Sequence, residues 1–271
     1  RAGAAAYSNS YIAQNGDNIS SFLTRGWLSL HEVGHGYTGS LANQELSIGE
    51  VANNILGHYF QQTFLSEGDY GWLGKKLDIE KDIATARNAT TTFNELTYRQ
   101  KLYMFVNLLD KIGPEKSMAN AHQTYRKYLS QGIQYTASDL FAEAFSKSSK
   151  FNVIPYLESW KITTSNNVKS QIYEEELPMI YYLRNLVSSD EKAEKIRTEH
   201  ALDGNYALVS NSDIEKYNMT GNATINIAKD QIEQIKGKKI YIKDGSKIVK
   251  EATINEQTIK IEDIPVGIYT I

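Results

Sequence analysis

Cysteine is absent from this 271-residue chain. Disulfides, thiolate nucleophiles and every zinc or iron–sulfur site built on sulfur are thereby excluded, so a metal would have to sit on His, Asp or Glu. The absence leaves the compartment open, because a secreted chain of this size can build its own core without covalent staples. Proline is scarce as well. Of four in the chain, Pro114, Pro155 and Pro178 are the only ones between residues 20 and 195, which leaves long stretches free to be helical. No apolar run approaches the roughly 20 residues that a membrane-spanning helix needs. The small-residue run from Ala2 to Ala6 is far too short, so no transmembrane segment is expected. Neither sign of charge dominates: 29 basic and 32 acidic side chains give a net charge of −3. A phosphate backbone finds no electrostatic footprint here, and nucleic acid is not expected as a partner.

What is present is ordinary globular material, 41% hydrophobic and 23% charged, which rules out wholesale disorder. The length fits one large domain or a domain with a small module. The sequence opens at Arg1 without Met or a signal-like segment and stops at Ile271 inside a strand pattern. A piece of a longer, multidomain protein is therefore expected.

From Ser20 to about Lys195 apolar residues recur at helical spacing. Phe22, Leu23, Trp27, Leu30 and Val33 make one stripe. It predicts a helix capped at Ser20 or Ser21, running through His35 and ending near Gly36 or Gly39. A second helix is expected from about Ile48, with Val51, Ile55, Leu56, Tyr59 and Phe60 on its apolar side. Further helices are expected over 78–88, 96–112, 114–130 and 137–147, then a short apolar turn or helix over 152–160 and a last helix over 173–187, kinked or started by Pro178. Near residue 200 the period becomes strand-like, with Asp203-Gly204-Asn205 as turn chemistry at the junction. Alternation follows at Ile225/Ile227, Ile240/Ile242 and Ile259/Ile261, and Asp244-Gly245 marks a hairpin. The expected organisation is a mainly helical domain over residues 1–199 and a β-rich accessory module over 200–271, an α+β chain.

The segment that carries chemistry is His31-Glu32-Val33-Gly34-His35. On a helix it places two imidazoles one turn apart on one face, as two ligands of a tetrahedral zinc require. Glu32 lies beside them, where a carboxylate can take a proton from a metal-bound water and pass it to the leaving amine. A third ligand is needed. The metzincin pattern is excluded, because Thr38 and Leu41 stand where that class has Gly and His. Glu50, fifteen positions beyond His35 at the start of the second helix, can fold back onto the metal through a helix–turn–helix; Glu45, in the intervening loop, is its rival. Asn54, one turn after Glu50, is placed to bond the second nitrogen of a ligand histidine and fix its tautomer.

The plainer alternative is a solvated helix end with a charged face. Against it, the motif sits among Trp27, Leu28, Leu30 and Tyr37, where uncoordinated polar side chains are costly. His58 follows Glu50 by eight positions and reads as a helix-surface or core histidine, while His122 and His200 stand alone. Among eighteen tyrosines, Tyr37 and Tyr135 are nominated to donate to a developing oxyanion or to touch substrate. Residues 75–82 read as a mixed-charge helix start. The sequons at Asn18, Asn88, Asn218 and Asn222 have meaning only in a host that glycosylates.

The stretch from Trp27 through His31, Glu32, His35 and Tyr37, followed by Gly49-Glu50-Val51-Ala52-Asn53-Asn54-Ile55, resembles the zinc-site signature of the enhancin-like, mucin-degrading gluzincin peptidases. Ala2-Gly3-Ala4-Ala5-Ala6-Tyr7 is similar to the segment that precedes it in that family. The run from Phe145-Ser146 through Pro155-Tyr156 to Trp160 is similar to the end of the helical subdomain. The resemblance covers roughly residues 1–190. It implies the C-terminal portion of a gluzincin catalytic domain, followed by a small β-sandwich-like module, in a secreted or cell-surface Zn2+ endopeptidase that cuts mucin-like O-glycosylated proteins. It carries over His31, His35 and Glu50 as ligands and Glu32 as general base. Two other functions compete: a general zinc protease or aminopeptidase on unglycosylated peptides, and a glycan-binding adhesion protein with a structural zinc.

Overall fold

Helices form in this chain where apolar residues recur every three or four positions, and Thr97, Ser165 and Ser189 cap three of them with their side chains. The computed structural model describes residues 27–38, 41, 45–64, 92–202 and 206–271. In chain order the helices longer than four residues are α1 (Trp27–Thr38), α2 (Gly49–Phe64), α3 (Tyr98–Ile112), α4 (Pro114–Gln131), α5 (Ala137–Ser149), α6 (Ile154–Ser159), α7 (Asn166–Glu174) and α8 (Asp190–Glu199). The strands are β1 (Ile180–Tyr182), β2 (Leu208–Ser210), β3 (Thr220–Asn226), β4 (Lys239–Asp244), β5 (Lys247–Thr253) and β6 (Thr258–Pro265). The expected cap at Ser20 or Ser21, the helix over 78–88, the charged start over 75–82 and the turn at Asp203-Gly204-Asn205 lie outside the described residues, as do the sequons Asn18 and Asn88.

The chain divides into two compact units. The first comprises the described residues up to Ala144 together with Ser159–Thr163. Its centre is α3, opened by a reciprocal cap in which the Thr97 hydroxyl accepts from Gln100 N and the Gln100 side chain accepts from Thr97 N. Ile48, Val51, Ile55, Leu102, Phe105, Leu109, Leu140 and Phe141 are each at most 2% exposed. At about 1.5–3 kcal/mol for each large apolar side chain withdrawn from water, they dominate the stability of this unit. The α2–α3 contact is pinned at its far end by the Tyr59 hydroxyl, which donates to Asp110 at 2.8 Å.

The second unit comprises Phe145–Glu158 and Thr164–Ile271. Its sheets are three antiparallel pairs, β1 with β2, β3 with β6 and β4 with β5. The β4–β5 hairpin turns at Gly245 and Ser246, between the paired Asp244 and Lys247. Gly245 has φ +60°, and a Cβ there would meet the Glu176 carbonyl oxygen at 2.8 Å, so the position admits glycine alone. Ile242, Ile254, Ile259, Ile261 and Ile264 form the apolar cluster beneath these strands.

One expectation is overturned within this unit. The continuous helix foreseen over residues 173–187 is instead the end of α7, a break, strand β1 and a single helical turn over Leu183–Leu186. Pro178 has no N–H to continue a helix, and its carbonyl accepts from Asn152 N at 2.8 Å. Met179 then bridges in parallel to Asn152, and Ile180, Tyr181 and Tyr182 pair with Ser210, Val209 and Leu208. β-branched and aromatic residues favour that pleated pairing. Residues on both sides of position 200 share one core, with Leu183, Val187 and Ile196 packed with Val209 and Ile214. The described residues are thus helix-rich with small antiparallel sheets, an α+β chain, and no helix among them is long and apolar enough to cross a membrane.

Candidate metal centre

Helix α1 presents His31 and His35 one turn apart, with ring centroids 4.9 Å apart and planes nearly perpendicular. Helix α2 returns alongside it and places Glu50 in its first turn, where the partial positive charge of a helix N-terminus favours a carboxylate. Glu50 Oε2 lies 3.1 Å from His31 Nε2 and 3.5 Å from His35 Nε2. The three side chains form a potential metal-binding group whose ligand atoms all lie within 4.8 Å of one another. Ligands about 2.0–2.1 Å from a tetrahedral zinc stand roughly 3.3 Å apart. The two measured separations fall on either side of that value.

The hydrogen bonds fix which atoms of the histidines are available. Asn54 Nδ2 donates to the Glu50 carbonyl at 2.7 Å, which turns Asn54 Oδ1 toward His31 Nδ1 at 3.1 Å. An amide oxygen only accepts, so Nδ1 carries a proton, and in the neutral ring that tautomer leaves the Nε2 lone pair to a metal. Asn53 works on the other imidazole. Its Oδ1 accepts from Asn54 N at 2.9 Å, so its Nδ2 is the atom 3.0 Å from His35 Nε2 and 3.3 Å from the His31 carbonyl. His35 Nε2 is therefore also an acceptor. Two imidazole nitrogens and a carboxylate oxygen converge, a donor set that suits a cation, although the His35 Nε2 lone pair, now taken by the Asn53 amide, would have to be released to serve one. The residues present fit a metal, and hard carboxylate with borderline imidazole is the donor chemistry zinc takes.

Both asparagines are fully buried in α2. Asn54 stands where the sequence expectation placed it; Asn53 was not singled out. Helical spacing puts it beside the face that carries Glu50, but its bond to His35 depends on how α1 and α2 cross. Glu32 follows His31 in α1 and is half-buried.

The rival third ligand has another occupation. Glu45 caps the N-terminus of α5, accepting from Ala137 N at 2.9 Å and from Ser138 N at 3.0 Å. His58 is fully buried in α2, its ring edge-on to Tyr59. His122 lies on α4, where burial and the neighbouring Arg126 hold its imidazole below the usual range. His200 ends α8 against Tyr217. Tyr37 is 70% exposed and borders an open groove of about 730 Å³ with Leu30, Val33, Leu56 and Phe60. Tyr135 packs its ring against Tyr125 and Tyr128. Of the two remaining sequons, Asn218 adopts a left-handed conformation and Asn222 accepts from Asp263 N.

Among solved structures the chain is similar to two of a functionally unknown conserved protein from Bacillus anthracis str. Ames, the second a mutant. The first shows 25% identity over 59% of this chain and 33% of that chain, with a TM-score of 0.47. The second shows 23% identity over 64% of this chain and 35% of that chain, with a TM-score of 0.49. The chain thus spans about a third of the length of those proteins. No match is found among curated proteins. A family-level match runs over residues 2–161, more than half of the chain and inclusive of His31, Glu32, His35 and Glu50, and by it the chain belongs to the Peptidase M60 family, enhancin and enhancin-like, a family of metallopeptidases.

Proposed function

We propose that this chain is the metal-bearing part of a secreted or cell-surface zinc endopeptidase that hydrolyses peptide bonds in mucin-type O-glycosylated proteins. The observation that supports the reading most directly is the convergence of His31 Nε2, His35 Nε2 and Glu50 Oε2, with Glu32 in the same helix as the histidines. A zinc ion held by those three side chains would supply Lewis acidity, lowering the pKa of a water and polarising the scissile carbonyl.

The protein's own residues do the rest. Asn54 holds His31 in the tautomer that offers Nε2, while the Asn53 amide, which donates to His35 Nε2, would yield that lone pair to the metal. Glu32 accepts the proton of the attacking water and delivers it to the departing amide nitrogen, so one carboxylate serves as base and then as acid. Tyr37 is our nominee for substrate contact, being exposed at the end of the metal-bearing helix. Tyr135, also nominated from the sequence, is the weaker choice because its ring is engaged with two other tyrosines. We assign the chemistry to residues 1–199 and an accessory role to the sandwich-like β module over 200–271, within a longer multidomain protein.

The preference for glycosylated substrate rests on the family, whose members often act on mucin-type glycoproteins. The experiment is digestion of a mucin glycopeptide before and after enzymatic removal of its O-glycans, with Glu32→Gln as the inactive control. Preferential cutting of the glycosylated form is expected. Faster cutting of the bare peptide would make this a general peptidase, and cutting by Glu32→Gln would remove the assigned base.

A further inference from the structure

Lys101 is 1% exposed, and among the described residues no carboxylate lies within ion-pair distance of it. Its ammonium instead donates to two backbone carbonyls, Ser47 O and Asn94 O, each at 3.2 Å. It also lies 5.2 Å from the centre of the Phe93 ring and 5.9 Å from that of Tyr98. An ammonium taken out of water and left without a counter-ion is expensive, and a well-packed apolar side chain in its place is often no less stable.

What Lys101 holds is the approach to Glu50. Ser47 has φ +47°, a left-handed conformation unfavourable for a residue with a Cβ. The next carbonyl, of Ile48, accepts from Val51 N and Ala52 N and so begins α2. The turn at Ser47 thus decides where the helix starts and where its first-turn carboxylate stands. Asn94, gripped by the same ammonium through its carbonyl, donates from its side chain to the Glu45 carbonyl at 2.9 Å. The segment before Glu50 is tied at two points to one buried cation on α3.

We infer that Lys101 is a positioning residue for the metal centre: its ammonium locks the left-handed turn at Ser47 and so sets the place of Glu50 opposite the two histidines. The inference rests on Glu50 being the third ligand. Its test is a double-mutant cycle on the full chain, reading the zinc dissociation constant by competition with a chromophoric chelator and the melting temperature of the metal-free protein. Lys101→Met is expected to weaken zinc binding about 10- to 100-fold, the usual cost of losing an outer-shell support, without lowering the metal-free melting temperature. In a Glu50→Ala background the same substitution should change zinc affinity less than twofold, because the ligand it positions is gone. Lys101→Gln, which keeps a donor, should fall between. If Lys101→Met does not fold, the cycle is read on Lys101→Gln. Wild-type zinc affinity in the Lys101 variant, or an equal loss in both backgrounds, overturns the inference. Unchanged affinity in Glu50→Ala alone would instead remove the ligand assignment beneath it.

Discussion

A Cβ added to Gly34 would stand 2.6 Å from the carbonyl oxygen of Asn53 and 2.9 Å from its Cα. These are backbone atoms of α2 and cannot swing aside as a flexible side chain would. Glycine at the fourth place of the motif is therefore what lets α1 and α2 approach closely enough for Glu50 to reach the histidines. Gly34→Ala should force α1 and α2 apart, destabilise the chain by about 1–3 kcal/mol and weaken zinc binding. Thermal melts and zinc titration check this, and wild-type values in both would show that α2 yields freely.

Glu32→Gln keeps the shape of the side chain but cannot take a proton. Zinc content and melting temperature should stay at wild-type values, while peptidase turnover falls by about 10²- to 10⁴-fold. Elemental analysis beside a steady-state peptide assay separates the two effects. Substantial turnover in the variant would place the base elsewhere.

Glu50 and Glu45 should respond in opposite ways. Glu50→Ala is expected to abolish tight zinc binding with little change in the melting temperature of the metal-free protein. Glu45→Ala takes the cap from α5 and should cost about 0.5–2 kcal/mol of stability, with a far smaller change in zinc affinity. Isothermal titration and thermal denaturation of the two variants give the comparison, and a reversed pattern would exchange their roles.

The chain should lose stability in alkali. Burial, with Asp110 beside it, pushes the Tyr59 hydroxyl well above its ordinary value. Burial, with Asp244 and Glu215 nearby, pushes Tyr269 up to about 12. An unfolded tyrosine ionises near pH 10. Between about pH 10 and 12 the unfolded chain therefore holds fewer of these protons than the folded one, and stability falls as pH rises. Lys101, held below its ordinary value by burial, acts in the opposite direction. Urea unfolding at pH 9 and pH 11 isolates the tyrosine contribution when Tyr59→Phe is compared with wild type: the variant should show the shallower decline.

The grouping of His31, His35 and Glu50 was legible because its parts are local. Two histidines four positions apart on a helix need nothing from the rest of the fold to share a face, and Glu50 opens the next helix in the described chain. Asn53 was not legible in the same way, since its amide reaches His35 only because the helices cross tightly at Gly34, a tertiary relation. Lys101 reads in sequence as one more charged position in an amphipathic helix, and only the packing of Phe93 and Tyr98 around it reveals burial. Helical spacing over residues 173–187 was equally compatible with a strand once Pro178 interrupted it, and the partner that decided the matter, β2, lies almost thirty residues downstream. Tyr135 was chosen by residue type alone, with no spacing argument behind it, and the structure gives its ring a packing role.

The pairing of β1 with β2 across position 200 bears on how the gene can be shortened. A coding sequence stopped after Glu199 would supply Ile180–Tyr182 without Leu208–Ser210, leaving the ladder groups of the first strand unmatched. Leu183, Val187 and Ile196 would at the same time lose the cover of Val209 and Ile214. A bare strand edge beside a wet apolar wall recruits other chains. Such a product would be recovered from inclusion bodies even though His31, His35 and Glu50 are encoded in it, whereas one carried through Ile214 would retain the ladder and the cover of Val209 and Ile214.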